Sequence, residues 1–189
     1  MRILSKKDFQ KEKSNIKNRL KNEDIVFIYP TDTIYGIGCN ALKQNAVEKI
    51  RKIKQRPKNP FSVIAPSKQW INKNFILSNE VKKWIKKLPG PYTLILRLKE
   101  KCVAKNVAPG MNSLGIRIPN NWFSKFVNEV KIPIITTSVN KSKEAYMTSI
   151  NDLDKEIKNK VDFIIYEGKK QGRPSKIIDL TGKIKIEKR

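Results

Sequence analysis

Short apolar runs that stop at proline or at small polar residues recur along this chain, and between them lie segments whose apolar residues keep helical spacing. That alternation is what most limits the fold. Ile25-Val26-Phe27-Ile28 is a continuous β-branched and aromatic run that suits a buried strand, and Pro30, which has no N–H for a ladder, should end it. Phe61 to Ala65, Thr93 to Leu98, Ser113 to Ile118, Pro133 to Thr136, Phe163 to Tyr166, Ile177 to Leu180 and Ile184 to Ile186 read as further strands. Lys6 to Asn22 reads as a lysine-rich surface helix, Asn45 to Lys54 as a helix capped by Asn45, and Asp152 to Lys160 as a polar helix. Val81, Trp84, Ile85 and Leu88 share one helix face, and Trp122, Phe123, Phe126 and Val127 mark another helix. Strands and helices interleave with no repeat and no linker, and short hairpin-like joins near the C-terminus accompany the helical crossovers. The expectation is a single α/β domain over residues 1–189, with a mixed parallel and antiparallel sheet flanked by helices.

With 189 residues, 39% of them hydrophobic, the chain can build a real core. Its apolar stretches are far shorter than the roughly 20 residues of a membrane span. The start, Met1 to Lys7, lacks an apolar signal core, so a cytoplasmic protein is expected, with Cys39 and Cys102 as free thiols. Lys and Arg number 41 against 17 Asp and Glu, a net charge of +24. Such a field attracts nucleic acid and phosphate-bearing ligands, yet a lysine-, asparagine- and isoleucine-rich chain can carry it through base composition alone. Both explanations stand. The sequence contains no His, so proton transfer must use other groups or water.

Four segments carry the candidate chemistry. Within Tyr29 to Gly38, the five residues Thr31 to Tyr35 gather two Thr hydroxyls, a carboxylate and a phenol after a strand end, followed by two glycines that would let a ligand or another backbone come close. Gly36-Ile37-Gly38-Cys39-Asn40-Ala41 matches a loose dinucleotide fingerprint, but the turn before it is wrong and no acid follows where a ribose would need one. A phosphate-binding P-loop is absent. Lys54-Gln55-Arg56, read as an extended loop, points two cations to one side, both facing solvent; as a bare pattern it is also ordinary surface. Thr136-Thr137-Ser138-Val139-Asn140 repeats the hydroxyl-rich strand end, with a helix cap or turn as the alternative. Arg117, between Ile116 and Ile118, must point away from its apolar neighbours, either outward or into a cleft.

Taken in order, Pro30-Thr31-Asp32-Thr33-Ile34-Tyr35-Gly36-Ile37-Gly38, Lys54-Gln55-Arg56-Pro57, Pro89-Gly90-Pro91-Tyr92-Thr93-Leu94, Ser113-Leu114-Gly115-Ile116-Arg117-Ile118-Pro119 and Ser138-Val139-Asn140 resemble the YrdC/Sua5 family, and the length is similar to its short bacterial branch of L-threonylcarbamoyladenylate synthases. The resemblance runs from about Ile25 to the C-terminus. It implies a twisted sheet around a concave basic cleft that combines L-threonine, bicarbonate and ATP, with Mg²⁺ expected beside the nucleotide. The products would be threonylcarbamoyl-AMP and pyrophosphate, and a partner transferase complex would pass the threonylcarbamoyl group to adenosine 37 of tRNA. Carried over residue by residue, Thr33, Arg117, Ser138 and Ser175 would contact threonine. Arg56, Asn59, Ser113, Asn140, Thr148 and the terminal Arg189 would contact ATP, and Lys54 with Arg56 would carry the electrostatic catalysis. No resident metal site is implied.

This chain departs from the family pattern in three places: Ile64 where the longer branch has a His, Lys141-Ser142-Lys143-Glu144-Ala145 after the Ser138 motif, and Lys176 where a hydroxyl usually follows Ser175. Two other functions remain open on sequence. One is a non-catalytic RNA-binding module using the same basic surface. The other is the YrdC-like part of a hydrogenase maturation protein, which normally comes with extra domains and zinc-binding cysteines.

Overall fold

The computed structural model describes residues 1–142 and 144–187. In chain order it contains β1 (Arg2–Leu4), α1 (Lys6–Asn22), β2 (Phe27–Tyr29), β3 (Gly36–Gly38), α2 (Gln44–Lys54), β4 (Ser62–Ile64), α3 (Lys68–Asn74), α4 (Asn79–Lys86), β5 (Tyr92–Arg97) and β6 (Ser113–Arg117). There follow α5 (Phe123–Val130), β7 (Ile134–Ser138), a 3-10 turn (Ile150–Asp152), α6 (Lys155–Lys160), β8 (Phe163–Ile165), β9 (Lys176–Asp179) and β10 (Lys185–Glu187). The strands form one sheet in the order β1-β8-β2-β3-β7-β4-β6-β5-β9-β10. Parallel pairs (β1 with β8, β8 with β2, β4 with β6, β5 with β9) occur beside antiparallel ones, so the sheet is mixed as expected.

Because side chains alternate along each strand, the two faces have separate fates. One face is apolar throughout: Ile28, Ile37, Val63, Leu94, Leu96, Leu114, Ile116 and Ile135 join one core. On the other face, Phe27, Tyr29, Ile64 and Ile134 pack under α1 and α5, against Phe9, Leu20, Phe123 and Phe126. Tyr29 stacks on Phe123 with ring centroids 4.5 Å apart, and Phe9 meets Phe126 edge-on at 5.0 Å. Beyond those helices the same face is lined by Ser62, Thr93, Ile95, Ser113, Gly115, Arg117, Thr136 and Ser138, and it is open. The uncovered half of that face is the cleft.

Local signals explain most elements. α1 begins with a capping box in which Asp8 N donates to Ser5 Oγ at 3.2 Å and Ser5 N to Asp8 Oδ2 at 3.0 Å; it buries only Phe9, Ile16 and Leu20. Three expectations need correction. Asn45 lies inside the first turn of α2, not at its cap, because the entry turn is already closed by Asn40, whose Oδ1 accepts the Leu42 N–H at 2.9 Å. Residues 54–56 are not extended: Lys54 ends the helix and Gln55 takes a left-handed conformation at φ 49°. The polar segment expected as one helix from Asp152 is a 3-10 turn followed by α6, which Asp154 caps. Gly36 and Gly38 lie in a strand, and of the two close approaches open on sequence, ligand or backbone, Gly38 takes the backbone one; β1 and α3 were not anticipated.

The glycines of β3 answer to packing. A Cβ on Gly38 would lie 2.3 Å from the Ile135 carbonyl oxygen and 2.8 Å from the Tyr29 ring, and one on Gly36 would press the same ring at 3.0 Å. Backbone on one side and a fixed aromatic on the other leave no relief. Gly38→Ala should therefore destabilise the protein by about 3 kcal/mol, the upper end of ordinary overpacking. Urea unfolding measures this, and an unchanged midpoint would contradict the packing argument.

Candidate active site

The loop between β2 and β3 is closed by its own hydroxyls. Thr31 Oγ1 donates to Ile34 O at 2.7 Å and accepts the Thr33 N–H at 3.1 Å, while the two Thr hydroxyls meet at 3.0 Å. This compact turn aims Asp32 at Arg117, whose Nη2 donates to Asp32 Oδ1 at 2.5 Å. Thr33 Oγ1 sits 3.3 and 3.4 Å from the two terminal nitrogens of Arg117, and Asp32 Oδ2 accepts the Asn120 N–H at 2.9 Å. Arg117 is 5% exposed and lines the cleft, so of the two orientations open on sequence it takes the inward one. Thr33 lies behind it, buried against the guanidinium instead of on the cleft wall.

The expectation that Lys54 and Arg56 both face solvent fails at Lys54, which is 2% exposed. The left-handed Gln55 reverses the chain, so the two cations part. Lys54 Nζ donates to Ser138 O at 2.6 Å, Asn140 O at 2.8 Å and Asn140 Oδ1 at 2.9 Å. Asn140 in turn accepts the Ser138 hydroxyl at 2.7 Å and donates to Glu144 O at 2.6 Å. Burial first, and the charge of Arg56 second, pull the Lys54 pKa down to about 7, although the three oxygens around it favour the ammonium. Arg56 reaches the cleft instead, its guanidinium 5.3 Å from the Phe61 ring centroid and Nη2 donating to Pro60 O at 2.9 Å.

A residue that sequence reasoning passed over organises this loop. Arg51 Nη1 donates to the carbonyls of Arg56, Pro57 and Asn59 at 2.8, 3.0 and 3.1 Å, while its Nε and Nη2 bind Asn106 O at 2.9 and 2.6 Å. The one available signal was its position three residues before Lys54, which puts both on the inward face of α2.

The cleft holds about 250 Å³. Ser113, Ser138 and Ser175 line it as expected, and Ser175 Oγ meets Thr93 Oγ1 at 2.7 Å. Asn59, Asn140 and Thr148 are not on its wall: Asn59 is exposed, Asn140 is bound to Lys54, and the Thr148 hydroxyl donates to Asp152. Arg189 lies outside the described residues. Ser62, Thr93 and Tyr146 line the cleft without having been singled out as contacts; for Thr93 and Ser62 the strand alternation was the usable signal. A segment from Glu167 to Ser175 crosses above, held where the Tyr35 hydroxyl donates to Gly168 O at 2.6 Å and accepts the Glu167 N–H at 3.1 Å. Among the described residues no cluster of three or more His, Cys, Asp or Glu could hold a metal, and no helix is long and apolar enough to cross a membrane. Cys39 and Cys102 are free thiols.

The family model of Sua5, YciO and YrdC proteins, described as telomere recombination, matches residues 19–189. A putative threonylcarbamoyl-AMP synthase of Methanocaldococcus jannaschii is 39% identical over 184 residues, covering 94% of this chain and 84% of that protein. The threonylcarbamoyl-AMP synthase of Pyrococcus abyssi is 32% identical over 161 residues, 81% of this chain and 46% of its own length. The crystal structure of Pyrococcus abyssi Sua5 complexed with L-threonine superposes with a TM-score of 0.83 at 26% identity, over 96% of this chain and 54% of that one. The chain thus spans about half the length of the Pyrococcus proteins and most of the Methanocaldococcus one. A family match over nearly the whole sequence, together with a shared sheet, settles its kinship: the chain belongs to the Sua5/YciO/YrdC family.

Proposed function

We propose that this protein is a threonylcarbamoyl-AMP synthase, a nucleotidyltransferase that joins L-threonine, bicarbonate and ATP and releases pyrophosphate. One observation carries the reading: a hydroxyl-lined cleft that two cations enter from opposite ends of the parallel pair β4–β6, Arg117 at the last position of β6 and Arg56 ahead of β4. Relatives with that named activity, and one seen with L-threonine, support it.

The chemistry asks little of the protein beyond position and field. The threonine amine adds to the bicarbonate carbon with loss of water, giving a carbamate, and a carbamate oxygen then attacks the α-phosphorus of ATP as pyrophosphate leaves. No enzyme nucleophile or histidine is needed. In this reading Arg117 takes the threonine carboxylate, with Thr33 steadying its guanidinium and Ser138 and Ser175 supplying hydroxyls along the wall. Arg56 offsets the charge that grows on the phosphates, and Ser113 lies on the same strand as Arg117. Lys54 acts through the backbone, holding Ser138 and Asn140 in place. Asn59, Asn140, Thr148 and Arg189 remain the ATP contacts that the family resemblance suggests.

Mg²⁺ fits as part of the incoming nucleotide and not as a resident ion, since the described residues gather no acidic cluster for it. We read residues 1–189 as one cytoplasmic unit whose product passes to a threonylcarbamoyl transferase complex and finally to adenosine 37 of tRNA. Whether RNA binds directly is the competing use of the +24 charge. That use would show steeply salt-dependent RNA affinity with no need for ATP or threonine.

Pyrophosphate release should require threonine, bicarbonate and Mg-ATP together; release without threonine would refute the reading. Arg56→Ala should lower kcat/KM by about 10²–10³-fold, as loss of one preorganised charge-stabilising donor does, while the melting temperature moves by less than about 2 °C. Lys54→Met leaves three buried oxygens without their donor and should cost about 2–4 kcal/mol. The Lys54 pKa falls from 10.5 in the unfolded chain to about 7 in the fold, so the unfolded state binds more protons between those values. Wild-type stability relative to Lys54→Met should accordingly rise with pH across that window and be flat below it, as read by chemical denaturation at stepped pH.

A further inference from the structure

Arg117 is a buried guanidinium, and a charge in that position must be matched or it destabilises the fold. Its match is Asp32. The pair lies 2.5 Å apart with side chains 6% and 10% exposed, in contrast to the solvent-facing ion pairs such as Lys83 with Glu80. Asp32 is itself held: one oxygen takes the Arg117 Nη2 hydrogen and the other accepts the Asn120 N–H. The turn carrying Asp32 cannot easily withdraw, because Thr31 closes it from within and Asn121 Nδ2 ties Pro30 O at 2.7 Å. The acid, the turn and the segment after β6 therefore form one clamp on the guanidinium.

A planar guanidinium held at Nη2 by one carboxylate oxygen and faced by a hydroxyl across its two terminal nitrogens has its plane fixed, which sets the direction of its other N–H groups toward a second carboxylate. The carboxylate also cancels the arginine charge. A cleft whose amino-acid end is neutral overall has no long-range pull on a polyphosphate, while Arg56, half-buried at the other end, keeps its own. Resting on the reading of the cleft as a threonine and ATP site, we infer that Asp32 is the positioning residue of the amino-acid subsite: it fixes the Arg117 fork and neutralises it, so that this end takes the carboxylate of a zwitterionic amino acid and refuses phosphate. The two anionic substrates are thereby sorted by local charge balance, with geometry supplying the rest.

Steady-state kinetics on the full chain test this, with wild type, Asp32→Asn and Asp32→Glu compared in the pyrophosphate assay and inorganic phosphate as the probe anion. Wild-type turnover that depends on threonine is the first requirement, and its absence would defeat the proposed function and not this inference. Given that turnover, Asp32→Asn should raise the threonine KM by about tenfold or more, as loss of one partner of a buried charge pair does, and leave the ATP KM within about twofold. Phosphate should become a competitive inhibitor against threonine, its inhibition constant about tenfold lower than in wild type, because the arginine charge is now uncancelled. Asp32→Glu keeps the charge on a longer arm, so it should still exclude phosphate while the threonine KM rises by about threefold. A threonine KM within about twofold of wild type in both variants overturns the inference, as does a parallel rise in both KM values or unchanged phosphate inhibition in Asp32→Asn. Should Asp32→Asn fail to fold, Asp32→Glu decides alone: a threonine-specific rise supports the assignment, and equal rises for both substrates reject it.

Discussion

The Tyr29 ring lying flat against Gly36 and Gly38 is the contact on which the architecture turns. Its hydroxyl donates to Ile135 O at 3.0 Å, so β2, β3 and β7 are tied together at one point across the sheet. Behind the ring, Phe123, Phe27 and the helices α1 and α5 seal the face. In front of it, Gly36 is already part of the cleft wall. A bulkier residue at either glycine would lift the ring and blur the boundary between the packed half of the face and the open half. Fold and site share a single side-chain placement here.

This chain, with so much positive charge, buries three of its cations beside the cleft. Arg51 and Lys54 are enclosed almost wholly by carbonyl oxygens, and Arg117 by an acid and a hydroxyl. Carbonyl dipoles hold a cation in place without cancelling it, so Arg51 shapes the loop while still contributing to a positive field, and Lys54 holds the β7 end. Fixed charges of this kind need no reorganisation when a substrate's charge develops. The carboxylate partner is confined to the one cation that reaches the amino-acid end of the cleft.

Much of this was legible in the sequence. The run Ile25 to Ile28 announced a strand apolar on both faces, and both faces of β2 are indeed covered. Arg117 between two isoleucines announced a side chain set against its neighbours, and the hydroxyls of Ser113 and Ser138 follow the same alternation. What escaped depends on contacts made across long stretches of chain. Nothing local in Gln55 indicates a left-handed residue, yet that one dihedral sends Lys54 inward and Arg56 outward. The Gly36–Gly38 pair left ligand and backbone as alternatives, because its packing partner, Ile135, is far away in sequence. Nothing local singled out Arg51, since the carbonyls it gathers belong to two separate loops. Strand β1 has only three residues, and its pairing with β8 lies at the opposite end of the chain.

That last kind of pairing has a consequence for the order in which the protein is made. β9 joins the sheet parallel to β5, some eighty positions earlier, with Thr93 opposite Ile177 in register. Ser175 cannot meet Thr93 until that strand has docked, and Gly172 cannot settle against the Thr33 backbone before it. Parallel pairings between distant segments carry a large loop-closure entropy and form slowly. Until residues 172–179 have folded back, the cleft lacks one wall, even where the inner strands and the clamp on Arg117 are already in place.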